Sequence, residues 1–227
     1  MKGIARINWN QLVITSLCLF QGQMLAAQNS TATKIYSVNH WEALPPLVLF
    51  ASSPLIFRAL EKNSSLTLAE AQALNPQSVN SFDRPACFYD PGNFANSTKS
   101  GELVLTISVV TPLILLLDKK ISRDWADLLA LLLVTHGVDN ALYYTSSLAV
   151  RAPRPLTYNP EVPIEEKVGE GKTNSFISGH TAWTSTSTFF VAKVYTDYHH
   201  IHGIKRLLIY SAAAVPPTLE GYYRVHS

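Results

Sequence analysis

Asn174-Ser175-Phe176-Ile177-Ser178-Gly179-His180-Thr181-Ala182 is the stretch from which the rest of the chain can be read. Ser178 is a good helix N-cap, and a helix that begins here aims its unbonded backbone N–H groups at whatever lies in front of it. Such a helix end favours anions. Gly179 lets a ligand approach the backbone closely, Ser178 adds a hydroxyl donor, and His180 is suited to general acid work near neutral pH. The tripeptide alone also fits an ordinary helix start, so its surroundings decide the reading. Thr181, Thr184, Ser185, Thr186, Ser187 and Thr188 follow, small hydroxyl residues suited to close helix packing in lipid.

Upstream, His136, Asn140, Tyr143, Ser147, Arg151 and Arg154 are spaced by 4, 3, 4, 4 and 3 residues. Those steps keep one face of a helix, which Pro153 and Pro155 end near Arg151. A polar stripe in an apolar span must face protein or water. It is either a seam that packs helices or the approach to a site. Asp139, in the same span, needs a partner that the sequence does not name. Arg151 and Arg154 crown the stripe, and their planar forks of donors match phosphate oxygens. Each could equally anchor a helix at the headgroup layer.

The 227 residues suffice for one sizeable domain. Only 15% are charged, against about 25% in average soluble chains, and the apolar residues are clumped, which points to a membrane. A net charge of +2 is too small to argue for nucleic acid as a partner. Residues 1–27 read as a signal peptide, with an uncleaved anchor as the alternative: Lys2 and Arg6, then the apolar Leu12–Phe20, then Leu25-Ala26-Ala27 ahead of Gln28. With Cys18 inside that segment, only Cys87 is left in the mature chain, so neither an internal disulfide nor a cysteine metal cluster is expected.

Residues 28–100 form an N-terminal segment. Its apolar stretch 43–60 contains Pro45, Pro46 and Pro54 and is expected not to cross the bilayer fully. Thr67 and Glu70 make a capping box for a short surface helix that ends at Asn75-Pro76. Residues 76–100 are a polar loop in which Phe82-Asp83-Arg84 has no assignable chemistry. Asn29, Asn63 and Asn96 stand in glycosylation sequons, which matter only in a glycosylating cell. Glu102–Leu117, Trp125–Val150, Thr181 to about Tyr195, and 207–219 are the apolar runs that follow. The turns 118–124 and 199–206 carry Lys119, Lys120, Arg123, Lys205 and Arg206, so by the positive-inside rule both face the cytoplasm. Alternation then puts the loop 151–177 and Arg224 together on the outer side. His199, His200 and His202 lie a helix length away from His180, about 25 Å, and read as part of a basic turn. The loop 156–177, with Glu165, Glu166, Lys167, Glu170 and Lys172, is either solvated surface or a gate for a headgroup.

Together these residues resemble the PAP2 phosphatase superfamily of type 2 phosphatidic acid phosphatases and bacterial lipid phosphatases. Its signature runs Lys, six residues, Arg-Pro; then Pro-Ser-Gly-His; then Ser-Arg, five residues, His, three residues, Asp. Arg154-Pro155 matches the first block, Ser178-Gly179-His180 the second after 22 intervening residues, and Arg224 the third, with 43 residues between it and His180. Ser147 replaces the signature lysine, with Arg151 a candidate substitute. Ile177 replaces the proline and Tyr223 the serine.

The resemblance covers about residues 100–227. It implies an all-α, polytopic membrane helical bundle of the PAP2 type, with 101–227 as an incomplete catalytic domain lacking its last helix. It implies a cell-membrane protein with its site on the periplasmic or outer face. Arg151, Arg154, Ser178, Gly179 and Arg224 would bind phosphate, and His180 would be the catalytic acid. Neither metal nor other cofactor would be needed, and the substrate would be a phosphorylated membrane lipid. The nucleophilic histidine would fall six positions after Arg224, whereas the sequence ends at Ser227, so the chain is expected to be a C-terminal truncation and inactive as it stands. The competing expectation is a non-catalytic membrane protein that binds phosphorylated headgroups. A soluble vanadate haloperoxidase is a distant third.

Overall fold

A computed structural model describes residues 34–226, so the signal-like residues 1–27 and the sequon at Asn29 lie outside the described residues. The described chain is mostly helical and contains no strand. Its helices are α1 (His40–Asn63), α2 (Leu68–Ala73), α3 (Phe94–Val110), α4 (Trp125–Ala149), α5 (Pro155–Tyr158), α6 (Ile164–Lys167), α7 (Gly179–Tyr198) and α8 (Gly203–Val225). Two stretches, Trp41–Asn63 and Pro91–Leu117, are long and apolar enough to cross a membrane.

The first of these contains the apolar stretch 43–60, which its three prolines do not break. Asn39 caps α1 by accepting from the Trp41 N–H at 3.1 Å, and the helix runs unbroken for 24 residues through Pro45, Pro46 and Pro54. A proline removes one helical donor, but neighbouring helices can compensate, which is why proline is tolerated in such helices. Here α1 lies against α4. At the crossing, Gly137 meets the backbone carbonyl of Pro46, and a Cβ built on Gly137 would sit 2.1 Å from that oxygen. One turn along α4, Asn140 donates to Ser53 Oγ at 2.6 Å; a further turn on, Tyr144 donates to the Ser53 carbonyl at 3.1 Å. The polar stripe of α4 is therefore in part a packing seam.

The span expected at Glu102–Leu117 begins earlier, at Phe94, and tightens into 3-10 turns over Thr111–Leu117 where Pro112 can no longer donate to the preceding turn. In α8, Pro217 deprives the Ala213 carbonyl of its helical donor, and Thr188 of α7 supplies one instead, at 2.8 Å. His136 Nε2 faces Ser187 Oγ at 3.2 Å, and Asp139 accepts from Thr186 at 3.2 Å, the partner that the sequence did not name.

The long helices run alternately up and down. At one end Tyr36 and Lys193 bond Asp197, Tyr198 donates to Asp124 at 2.6 Å, and His199 pairs with Asp118 at 2.6 Å. Leu115, Ile121, Leu128, Val194 and Tyr198 form an apolar cluster at that end. The opposite end carries residues 64–93, 150–178 and the C-terminus of α8. Several polar residues of the long helices point inward while large apolar ones point outward. Ser108, Asn140, Ser147, Thr184 and Ser187 are buried, whereas Leu103, Ile107, Leu113, Leu142, Leu207 and Leu208 are exposed.

The Gly137 contact is backbone against backbone, so it has no flexible side chain to yield. Gly137→Ala is expected to lower stability by about 3 kcal/mol, the upper part of the overpacking range. Thermal unfolding in detergent would measure this, and an unchanged midpoint would contradict the crossing described.

Candidate functional site

After α4 the chain turns back on the segment that leads into α7, and the two pair over a short distance. Ala152 bridges Asn174 in parallel, the Ser175 N–H donates to the Ala152 carbonyl at 3.2 Å, and the Arg154 N–H donates to the Lys172 carbonyl at 2.9 Å. The Ser175 hydroxyl reaches the same Ala152 carbonyl at 2.9 Å. This pairing brings Arg154 beside Ser178-Gly179-His180, although 22 residues separate Arg154-Pro155 from Ser178. The same segment is tied to the end of α1, where Lys172 and Thr173 donate backbone N–H groups to the Ser64 carbonyl at 3.1 Å. The loop 156–177 is thus pinned at its C-terminal side.

Arg154, Ser178, Gly179, His180 and Arg224 all line one cavity of about 1250 Å³ at this end of the helices. Asn174, which is buried, organises it. Its amide oxygen accepts from both Nε and Nη2 of Arg154, at 3.3 and 3.1 Å, and its amide nitrogen donates to the Tyr143 hydroxyl at 3.3 Å. Tyr143 in turn lies over Gly179, where a Cβ would come within 3.3 Å of the ring. Gly179 therefore makes room for Tyr143 as well as for a ligand. Neither Asn174 nor this use of Tyr143 was legible in the sequence; proximity of Asn174 to the Ser178 cap was the only available signal.

Ser178 is the N-cap of α7, as its type suggested. Its oxygen accepts from the Thr181 N–H at 3.3 Å and the Thr181 hydroxyl at 3.0 Å, so its own proton can be offered to a ligand. The helix has 20 residues, and its first backbone N–H groups open toward the cavity.

Arg151 does not join the site, which corrects both its assignment as a phosphate ligand and its suggested stand-in for the signature lysine. Helix α4 ends at Ala149 and Val150 is extended, so the helical spacing that aligned Arg151 with Ser147 stops short of it. Its guanidinium instead donates to Glu70 at 2.8 Å and to the Ser65 carbonyl at 2.5 Å. Glu70 also closes the expected capping box of α2, accepting from the Thr67 N–H at 2.8 Å. Arg151, followed by the Thr67 bonds, holds the Glu70 carboxyl down at about 2.

The cavity's charges disfavour further cations. Burial, and then the Arg224 charge, push the Arg154 pKa down. His180 stands one residue ahead of the apolar run 181–195. Burial is the largest influence on it, followed by Arg224, with Arg154 adding to the effect and Glu102 opposing it; together they bring it down to about 4. The cavity thus sets a neutral imidazole among guanidinium groups, a setting that favours an anion. Glu220, fully buried beside Gly101 one turn before Arg224, is a further acid that the sequence reading did not single out.

The chain matches no known protein family, curated protein or solved structure.

Asn174→Ala removes the acceptor that aims Arg154, and hydrogen bonds to charged groups contribute roughly 1.5–3 kcal/mol. The affinity for inorganic phosphate is expected to fall about tenfold, read by phosphorus NMR titration in detergent. Asn174→Asp keeps the acceptor but adds an anion beside Arg154, and should weaken phosphate at least as much. Wild-type affinity in both variants would remove Asn174 from the site.

Proposed function

We propose that this is a membrane-embedded protein of the PAP2 type, a polytopic helical bundle that holds the phosphate of a lipid headgroup in this cavity and hydrolyses it. The observation that carries the reading is the convergence of Arg154, Arg224 and the N-terminus of α7 on one cavity from three distant parts of the sequence. Guanidinium forks and helix N–H groups are the usual ligands of phosphate oxygens. The apolar outer surface supports a bilayer as the surrounding medium. The basic turns at Lys119-Lys120 and Lys205-Arg206 support an outer-facing cavity by the positive-inside rule.

In this reading Arg154, Arg224 and the 178–180 backbone hold the nonbridging oxygens and stabilise the charge that develops on them during transfer. His180 binds beside them. A phosphate dianion offsets the two guanidinium charges and raises the imidazole pKa, so that His180 takes a proton from water and passes it to the leaving oxygen. The attacking nitrogen bonds to phosphorus as the bond from phosphorus to that oxygen breaks, the lipid leaves as an alcohol or a shorter phosphate, and water then cleaves the phosphorus–nitrogen bond to release inorganic phosphate. The attacking group that the PAP2 resemblance implies is a histidine beyond Arg224.

A second reading, a headgroup-binding protein without turnover, is favoured by one specific observation. Among the described residues that line the cavity, His180 is the single imidazole. A panel of phosphorylated lipids separates the two. Phosphate release that His180→Ala lowers at least a hundredfold, the low end of a general-acid contribution of about 10²–10⁴, is the outcome for an enzyme. Binding without release is the outcome for a receptor, and absence of both contradicts the phosphate site.

The protonation of His180 gives an independent check. In labelled protein without ligand, its NMR titration is expected near the acid value of about 4. Sulfate, an anion that does not itself titrate in this range, should move that midpoint upward. An unmoved midpoint would mean that no anion binds beside His180.

A further inference from the structure

The loop that the sequence left without chemistry forms a wall of the same cavity. Its 3-10 turn Arg84–Phe88 packs on α5, the turn that begins immediately after Arg154. Asn159 secures the join by donating to the Tyr89 carbonyl at 2.7 Å. Phe82-Asp83-Arg84 is shaped by its own side chains. The Asn80 amide oxygen accepts from the Phe82 and Asp83 N–H groups at 3.0 Å each, and its amide nitrogen donates to Asp83 Oδ2 at 2.6 Å. The Arg84 guanidinium folds back on the loop, bonding the Val79 carbonyl through Nε at 3.0 Å and through Nη2 at 2.9 Å. That fixes the loop and commits the Arg84 side chain to its backbone. Asp83 keeps an exposed carboxylate, and among the described residues lining the cavity it is the single acid.

One cavity therefore carries two arginines and a helix N-terminus on part of its wall and one preset carboxylate on another. We propose that Asp83 is a specificity residue, and that the preferred ligand is a phosphate ester bearing an amine. The phosphate sits at Arg154 and Arg224, and the ammonium is received by Asp83. This inference rests on the phosphate site described above and adds to it the class of headgroup. A purely anionic headgroup would meet Asp83 as a like charge, whereas a zwitterionic one satisfies both poles.

The test compares ω-aminoalkyl phosphates with plain alkyl phosphates of matched length, binding to the full chain in detergent and followed by phosphorus NMR. Exposed ion pairs are worth about 0.2–1 kcal/mol, so at the length that spans the cavity the amine should improve affinity by up to about fivefold. Asp83→Asn should abolish that preference while binding alkyl phosphates and inorganic phosphate no more weakly than the wild type. Equal binding of both series at every length, or a preference that survives Asp83→Asn, overturns the assignment. If inorganic phosphate binds but no amine preference exists, this inference alone falls. If inorganic phosphate does not bind, the phosphate site falls and takes this inference with it.

Discussion

The Asn174 amide takes two N–H groups of Arg154 on its oxygen and offers its own nitrogen to the Tyr143 hydroxyl. Through that one side chain the end of α4, the turn after it and the start of α7 are fixed relative to each other. A mostly buried guanidinium is costly unless its donors are occupied. Asn174 occupies two of them with a neutral acceptor, which holds the group in place without cancelling its charge. A carboxylate in the same position would hold Arg154 as firmly and leave much less attraction for an incoming anion. The choice of amide over acid is thus what keeps the cavity electropositive.

The contrast with Arg151 makes the same point. Three residues before Arg154, it faces Glu70 and is neutralised there. The ion pair ties the turn after α4 to the capping box of α2 and serves to position the chain. Two arginines close in sequence are divided by the backbone between them, one paired at the periphery and one left available within the cavity.

The helices that carry this end are joined by small residues and side-chain hydrogen bonds. Gly137 allows α4 to touch the Pro46 carbonyl, and Thr188 serves the Ala213 carbonyl that Pro217 leaves without its helical donor. Such contacts suit a medium in which apolar surface gains nothing by being buried between helices. Leu and Ile residues of α3, α4 and α8 are exposed on the outside of the same helices.

The sequence by itself determined the helical class, the apolar runs, the Thr67–Glu70 capping box and the Ser178 cap, because each depends on residues within one or two turns of one another. It also selected Arg154, Ser178, Gly179, His180 and Arg224, which one cavity wall unites. It did not show that α1 runs unbroken through its prolines, since proline's local cost is visible in sequence while the packing of α4 against that helix is not. It misplaced Arg151 because a helical spacing was extended past the residue where the helix ends. Asn174, Tyr143 over Gly179, and the cavity face of Asp83 were decided only by the tertiary structure. Each of those roles requires segments far apart in the chain to meet, and no local pattern of residue types records such a meeting.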